Sequence, residues 1–483
     1  MKGDSCMSHA ITRSLAMAIA TAPFLIACGG GKADNPGAIN APQCSGASCG
    51  VQGPPASGAG AAALCPATAD IVKSTFLGGA GSGEVVQLNI DATAMTYTLK
   101  WLKSPIPLTS ADVTITREGT QITGAVIHPP TGTLPTAEQT RCAFILGKGT
   151  GTAPANGTTY TTPDFVNNPN PPMILVGQGV AGGGIPGATV EYDGLTIIPG
   201  IIDHVGAVPN RHFDFYPFLG FASTTNDVTK LAGTYNGLLY HLVPSGSYAA
   251  TATNTVETFD AAGNCTGSNP ANAAFTPSSS GCLTTGTAWT ANSSGYFDSQ
   301  NAPQIGTQLK LPPLNQPSGV SAQAHMILGQ VNGATVPLVI RTGSVNLGTA
   351  VLLHSDAKVD DESGIAMLAA ATPLASGGFD GGYVGADSNF KYTAALIQGG
   401  VGTFINPSTS AGEDGFGLGY ALPSPGLVGV QQANGQKGLA IASGGLYAIE
   451  IQGTVNGGVA PTSQLSSTAS SAPYFGIGAQ ISK

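Results

Sequence analysis

From about Ile71 onward the hydrophobic residues come in short runs, each closed by Gly, Pro, Asn or Asp. GEVVQLNI (Gly83–Ile90), AMTYTLKWL (Ala94–Leu102), ADVTITRE (Ala111–Glu118), TQITGAVI (Thr120–Ile127) and CAFIL (Cys142–Leu146) are rich in β-branched and aromatic side chains. Runs of that length and content, bounded by turn formers, read as strands. Apolar and polar positions alternate from Tyr97 to Trp101, as in a strand with one face buried. Only Ile365–Ala375 (IAMLAAATPLA) has a helical composition, and Pro373 limits it. The pattern predicts an all-β protein of tandem antiparallel β-modules, of sandwich or barrel type, with long Gly-rich loops. A β-propeller is the alternative, because radial repetition also suits many short strands.

Self-similarity suggests how the modules are arranged. Leu231–Leu242 (LAGTYNGLLYHL) is similar to Gly377–Asp387 (GGFDGGYVGAD), and each precedes a tract containing Thr-Phe. Met326–Gly343 and Leu427–Gly444 share one order: an apolar strand, a Gln, an Asn-Gly turn, a second strand and a closing Gly. Asn-Gly between apolar runs is a strong hairpin signal. The expected organisation is a β-rich module over 71–225, a second over 226–350 and a related third over 351–483. Residues 28–70, dominated by Gly, Ala, Pro and Ser, read as a stalk.

Composition narrows the function classes. Charged side chains are 9% of the 483 residues, too few for charged helices or coiled coils, while 42% hydrophobic residues suffice for a core. With 17 basic against 26 acidic side chains, no cationic excess exists to pair with phosphates, so a nucleic-acid partner is not expected.

The N-terminus adds an address. Lys2 and Arg13 flank a mostly apolar stretch from Ser14 to Ala27, shorter than the roughly 20 apolar residues of a membrane helix. It fits the apolar region of a secretory signal. The stretch ends Leu25-Ile26-Ala27-Cys28, and Met7 is a second possible start. This ending resembles the lipobox of bacterial lipoproteins. The resemblance implies removal of residues 1–27, lipid on Cys28 and a membrane partner through that anchor. Gly29, in place of Asp, implies the outer membrane. Of the remaining cysteines, Cys44, Cys49, Cys65, Cys142, Cys265 and Cys282 form an even set, which in an exported chain reads as disulfides. Short loops favour Cys44–Cys49 and Cys265–Cys282, leaving Cys65–Cys142. Across Gly83–Pro107, Ile127–Phe144 and Ile201–Phe221 the chain is similar to an uncharacterised family of β-proteobacterial lipoproteins. That resemblance implies no catalytic residues.

Three groups could carry chemistry. His204, His212 and Asp214 stand in the most aromatic segment, where imidazoles beside carboxylates can act as general bases. There Arg211, Phe213 and Tyr216 are candidate ligand contacts. Asp356, Asp360, Asp361 and Glu362 form the densest acidic run, and clustered oxygens suit a hard cation. Lys358 interrupts it where a calcium loop needs a ligand. Scattered Tyr383, Tyr392, Tyr420 and Tyr447, with Trp101 and Trp289, make a glycan ligand conceivable. No cofactor motif is evident. The expectation is a lipid-anchored outer-membrane protein that binds a protein or glycan without catalysis. A hydrolase or lyase using His204, His212 and Asp214, and a structural envelope protein, are the alternatives.

Overall fold

The computed structural model describes residues 63–134, 137–165, 171, 173–196, 198–201, 203–204, 207–268, 289–300, 302–303, 305, 322–346, 358–388, 392–405, 412–422, 424–452 and 473–482. The chain is all-β, and among the described residues helix is confined to short turns such as Thr68–Ile71 and Ala137–Cys142. Its first part runs through β1 (Thr75–Ala80), β2 (Glu84–Asp91), β3 (Thr96–Lys103), β4 (Pro107–Thr109), β5 (Asp112–Thr116), β6 (Gln121–Ile127), β7 (Ala143–Thr152), β8 (Thr159–Thr161), β9 (Met173–Val176), β10 (Val180–Pro186), β11 (Thr189–Tyr192), β12 (Val208–His212) and β13 (Phe215–Phe221). The order β6-β3-β2-β1-β13-β10-β9-β7 is closed by pairing of β6 with β7, from Gln121↔Thr152 to Ile127↔Ile145. Closure removes the edges of these eight strands and leaves short β8, paired with the end of β7, at an edge. Two ribbons, β4–β5 and β11–β12, stand off this first barrel.

The middle part contains β14 (Gly233–Val243), β15 (Ala249–Phe259), β16 (Cys265–Ser268), β17 (Thr290–Ala291), β18 (Phe297–Ser299), β19 (Gln323–Val331), β20 (Ala334–Thr342), β21 (Ser344–Asn346), β22 (Lys358–Asp360) and β23 (Ser363–Ala370). Eight of these form an open sheet in the order β16-β15-β14-β23-β20-β19-β18-β17. The last part is an up-and-down closed barrel of β24 (Gly381–Asp387), β25 (Tyr392–Gln398), β26 (Val401–Ile405), β27 (Gly412–Gly419), β28 (Val428–Gln432), β29 (Lys437–Ser443), β30 (Leu446–Ile451) and β31 (Tyr474–Ser482). The modules are therefore barrels and an open sheet; among the described residues neither a sandwich nor a propeller forms.

Each barrel has its own interior, but the three units also share a core. Leu77, Val85, Leu219 and Phe221 on the outside of the first barrel pack with Leu338, Ile340 and Met367 of the sheet and with Leu439, Ala448 and Ile477 outside the second barrel. The opposite face of the sheet buries Leu239, Met326, Ala366 and Leu368. Strands buried on both faces lose the alternation that marks a half-exposed strand. That explains the segment with helical composition. Ser363–Ala370 is strand β23, with Ile365 and Met367 toward the barrels and Ala366 and Leu368 toward the other face. β23 pairs with β14 and β20, so this part of 351–483 belongs to the sheet of the preceding segment.

Both expected hairpins form, with different loops. Asn332-Gly333 makes a two-residue loop between Val331 and Ala334, with φ of 49° and 78°. In the second, Gln432 N–H donates to Gln436 O at 2.8 Å around Ala433–Gly435. The two Asn-Gly pairs thus sit one position out of step.

Candidate functional site

A cleft of about 490 Å³ opens between the first barrel and the middle sheet. Volumes of roughly 300–1,000 Å³ are typical of ligand pockets. The barrel contributes Ser82 in the β1–β2 turn, the Lys103–Glu118 region, Tyr192 and Val208 of the β11–β12 ribbon, and Phe213 and Tyr216. The sheet contributes Ser245 and Tyr248 from the β14–β15 turn, Thr342 to Asn346, and Val359, Asp361 and Ser363.

The two walls meet at Gly83. Its φ is +81°, and an added Cβ would strike the Arg341 carbonyl oxygen. Only glycine takes this conformation without strain and lets the two backbones approach so closely. The Thr342 hydroxyl donates to Gly83 O at 2.7 Å across the joint.

Buried ion pairs stiffen both walls. Behind the barrel wall, fully buried Arg117 donates through Nε (2.7 Å) and Nη2 (2.6 Å) to the two oxygens of fully buried Glu84. Arg117 also stacks on Trp101 at 4.3 Å and reaches Tyr160 Oη at 2.8 Å. Burial opposes the charge, but Glu84 holds the guanidinium protonated beyond its ordinary range. Behind the sheet wall, Arg341 donates to both oxygens of Asp360 at 2.8 and 2.9 Å, and to Glu362 O and Pro303 O. His241 Nδ1 lies 2.7 Å from Glu362 Oε1, which also accepts from Ile305 N at 2.8 Å.

One end of the cleft is bridged. Ser247 and Tyr248 hold φ of 58° and 59°, unusual for non-glycine residues. This conformation sends the Tyr248 ring to Phe213, at 5.5 Å, and its hydroxyl to Val190 O, at 3.0 Å. Arg211 lies over both rings, 4.9 Å from Phe213 and 5.2 Å from Tyr248.

The aromatic segment therefore lines a cleft, through Phe213 and Tyr216. The candidate catalytic groups do not converge with it. His212 is exposed, with Nδ1 2.9 Å from Thr189 Oγ1 and Nε2 3.2 Å from Asp214 Oδ1. His204, exposed and at φ 58°, places Nδ1 2.7 Å from Asp193 O. His212 pairs with Thr189 at one end of the ribbon, while His204 is held at Asp193 O just past Tyr192 at the other end, roughly 13 Å along the strand from Thr189. A shared proton-transfer site needs hydrogen-bond reach.

The acidic run is dispersed as well. Asp360 turns to Arg341, Asp361 to Ser245, and Glu362 to His241. Asp361 and Glu362 form the two-residue link between β22 and β23, and each of the three carboxylates is taken up by a different partner, so they do not converge on one cation. Asp356 lies outside the described residues. Among those described, Cys65, Glu138 and Cys142 are the one trio within ligand distance, and both its sulfurs are spent in the Cys65–Cys142 disulfide. Cys265 is also disulfide-bonded. Cys28, Cys44, Cys49 and Cys282 lie outside the described residues. Trp101, Trp289, Tyr383 and Tyr447 are buried rather than offered to a sugar.

Sequence reading missed Glu84, Arg117, His241, Ser245, Tyr248 and Arg341. A signal existed for two of them. In so sparsely charged a chain, Glu84 heads an apolar run and Arg341 ends one, and a charge in such a run is normally paired when buried.

Fold and cleft together define an all-β protein of two closed antiparallel barrels beside an open sheet, with a ligand-sized cleft at one junction. The chain belongs to the family described as "Protein of unknown function (DUF2957)", whose family model matches residues 96–479. No curated protein matches the chain. Solved structures with some likeness include a double mutant of the vaccine antigen transferrin binding protein B of Haemophilus parasuis Hp5. Identity to it is 9% and the TM-score 0.18, over 82% of this chain and 65% of that one. Intact Ap-TbpB, with N and C lobes, gives 9% identity and a TM-score of 0.16, over 82% and 66%. This chain thus spans just under two thirds of their length, and at these scores the likeness carries no argument about the cleft. No helix among the described residues is long and apolar enough to cross a membrane.

Proposed function

We propose that this chain is an exported, lipid-anchored envelope protein that binds its ligand in the cleft between the first barrel and the middle sheet, without catalysis. The observation that carries the reading is the cleft itself. It is ligand-sized, and buried ion pairs stiffen both walls. Its lining mixes apolar and hydroxyl side chains. The anchor rests on Leu25-Ile26-Ala27-Cys28, with residues 28–70 as the stalk. Two or more acyl chains give the stable anchoring that one chain does not. The Cys65–Cys142 disulfide suits an oxidising compartment. The ligand is a small molecule or an exposed group of a protein or glycan partner, met at the outer membrane.

Two experiments test the reading. Cys28→Ala is expected to lose palmitate label and leave the membrane fraction; a variant that keeps both removes the anchor. For the cleft, protein purified from its own envelope is denatured and the released small molecules are compared by mass spectrometry with those from Val345→Trp, which fills the cavity. A species carried by the wild type and absent from the variant supports the site. Identical extracts, with full retention of partner binding by the variant, would overturn it.

A further inference from the structure

The lining of the cleft selects among ligands by the direction of its hydrogen bonds. A hydroxyl has one proton to give and two lone pairs to offer. Ser82 Oγ gives its proton to Glu84 Oε2 at 2.6 Å, and Ser104 Oγ to Glu84 Oε1 at 2.5 Å. Thr342 gives to Gly83 O at 2.7 Å and Thr114 to Asp112 Oδ1 at 2.6 Å. Ser245 gives to Asp361 Oδ1 at 2.9 Å, and Ser363 to Asp361 O at 3.1 Å. All six line the cleft, and all six donors are consumed by the protein. What these six retain for a ligand is lone pairs, although Ser104 and Ser363 each already accept one hydrogen bond, from Ile106 N and Gly343 N; Thr116, Gln323 and Asn346 also line the cleft, away from this set, and carry donors.

Charge points the same way. Lys103 and Glu118 pair with each other at 3.0 Å. Arg117 and Arg341 lie behind the walls, each held by a buried carboxylate. Arg211 covers the Phe213 and Tyr248 rings but does not line the cavity. Asp361 does line it. Its two oxygens accept from Ser245 N at 2.6 Å and Ser245 Oγ at 2.9 Å, and no cation among the described residues pairs with it. Burial pushes its carboxyl above the ordinary value while the Ser245 hydrogen bonds hold it down. A cation placed beside it would recover solvation that the site withholds.

Resting on the reading of this cleft as the ligand site, we infer that it takes a primary ammonium compound with a short apolar body. The ammonium sets its three N–H groups against Asp361 and the acceptor hydroxyls, and the body lies along Val345, Phe213 and Tyr248. Carboxylates and phosphates placed there meet lone pairs and the Asp361 carboxylate, and bind less tightly.

The test uses the full chain in detergent and three probes of one shape: phenethylamine, its neutral N-acetyl amide and anionic phenylacetate. Titration calorimetry is expected to show the amine binding about ten-fold or more tighter than either other probe, a factor equal to about 1.4 kcal/mol. Asp361→Asn is expected to remove that preference, and Ser245→Ala, which keeps the carboxylate, to retain it. Val345→Trp is expected to abolish binding. An amide or phenylacetate that binds as tightly as the amine, or no saturable binding by the amine, overturns the inference; this comparison on the wild type decides even where Asp361→Asn does not fold. The two readings fail separately. Equal amine and amide binding that Val345→Trp abolishes leaves the cleft as the site and removes the ammonium. Binding that survives Val345→Trp removes the cleft.

Discussion

Arg117 and Glu84 show how few charges this chain can misplace. Both are fully buried and satisfy each other through two short hydrogen bonds. Removing one partner leaves the other charged in an apolar barrel, which costs about 3–5 kcal/mol. Glu84→Gln is therefore expected to lower the unfolding free energy by that amount, measured by urea titration. Glu450 is the opposite case. It is buried on β30 and its Oε2 has no hydrogen-bond partner among the described residues. Burial drives its carboxyl well above the ordinary value, so the folded state holds a proton that the unfolded state releases. Stability from this group is lost as pH rises above about 4.5. Glu450→Gln is expected to stabilise the protein at pH 7 by about 1–3 kcal/mol and to leave it unchanged at pH 4. The His241–Glu362 pair has the reverse sign. Burial pulls the imidazole below its ordinary value despite Glu362. Burial also works against the Glu362 charge, yet the hydrogen bond from His241 holds that carboxyl low. The unfolded state then binds more protons than the native one, and stability is lost as pH falls, first below about 6.5 for His241 and later for Glu362. His241→Asn is expected to flatten the melting temperature between pH 7 and 5.5; an unchanged slope would remove His241 as the cause.

At the scale of elements, the Asn332-Gly333 turn was legible because its signal is local. Both residues hold positive φ, as a two-residue loop between twisted strands requires. Gly333 faces open space, so Gly333→Ala tests conformation alone and is expected to cost about 1 kcal/mol. Gly83→Ala tests a joint instead. Its Cβ would meet the Arg341 carbonyl and Ser363, so the barrel must move away from the sheet. The expected result is a larger loss of stability together with altered cleft binding, which Gly333→Ala does not produce. Strand β23 was not legible. Its alanines and lack of alternation resemble a helix, and only burial on both faces makes it a strand.

For the whole molecule, one apolar cluster joins the two barrels and the sheet, so the units are expected to unfold together. Cys65–Cys142 adds a closure at the point where the stalk would leave the first barrel. Its 77-residue separation corresponds to about 4.5 kcal/mol in the chain-entropy picture. Arg141 reinforces the attachment by donating to Pro66 O at 2.9 Å. Reduction is expected to lower the melting temperature and to free the Leu64–Thr68 segment to proteases before the barrels unfold.

By itself the sequence determined the all-β class, the hairpins and the placement of aromatic residues between 213 and 221, because periodicity and turn chemistry act within a few residues. It also marked that aromatic stretch as the place to look, and Phe213 and Tyr216 do line the cleft. Tertiary structure alone decided the closure of the barrels, since β1 pairs with β13 and β24 with β31 across separations that no local pattern encodes. It also decided that His204 and His212 stand apart and that Asp360, Asp361 and Glu362 face three different partners. Most of all, it decided the cleft, whose walls draw on residues from Gly81 to Ser363. Its selectivity lies in which way each hydroxyl proton points, and the residue types alone do not carry that information.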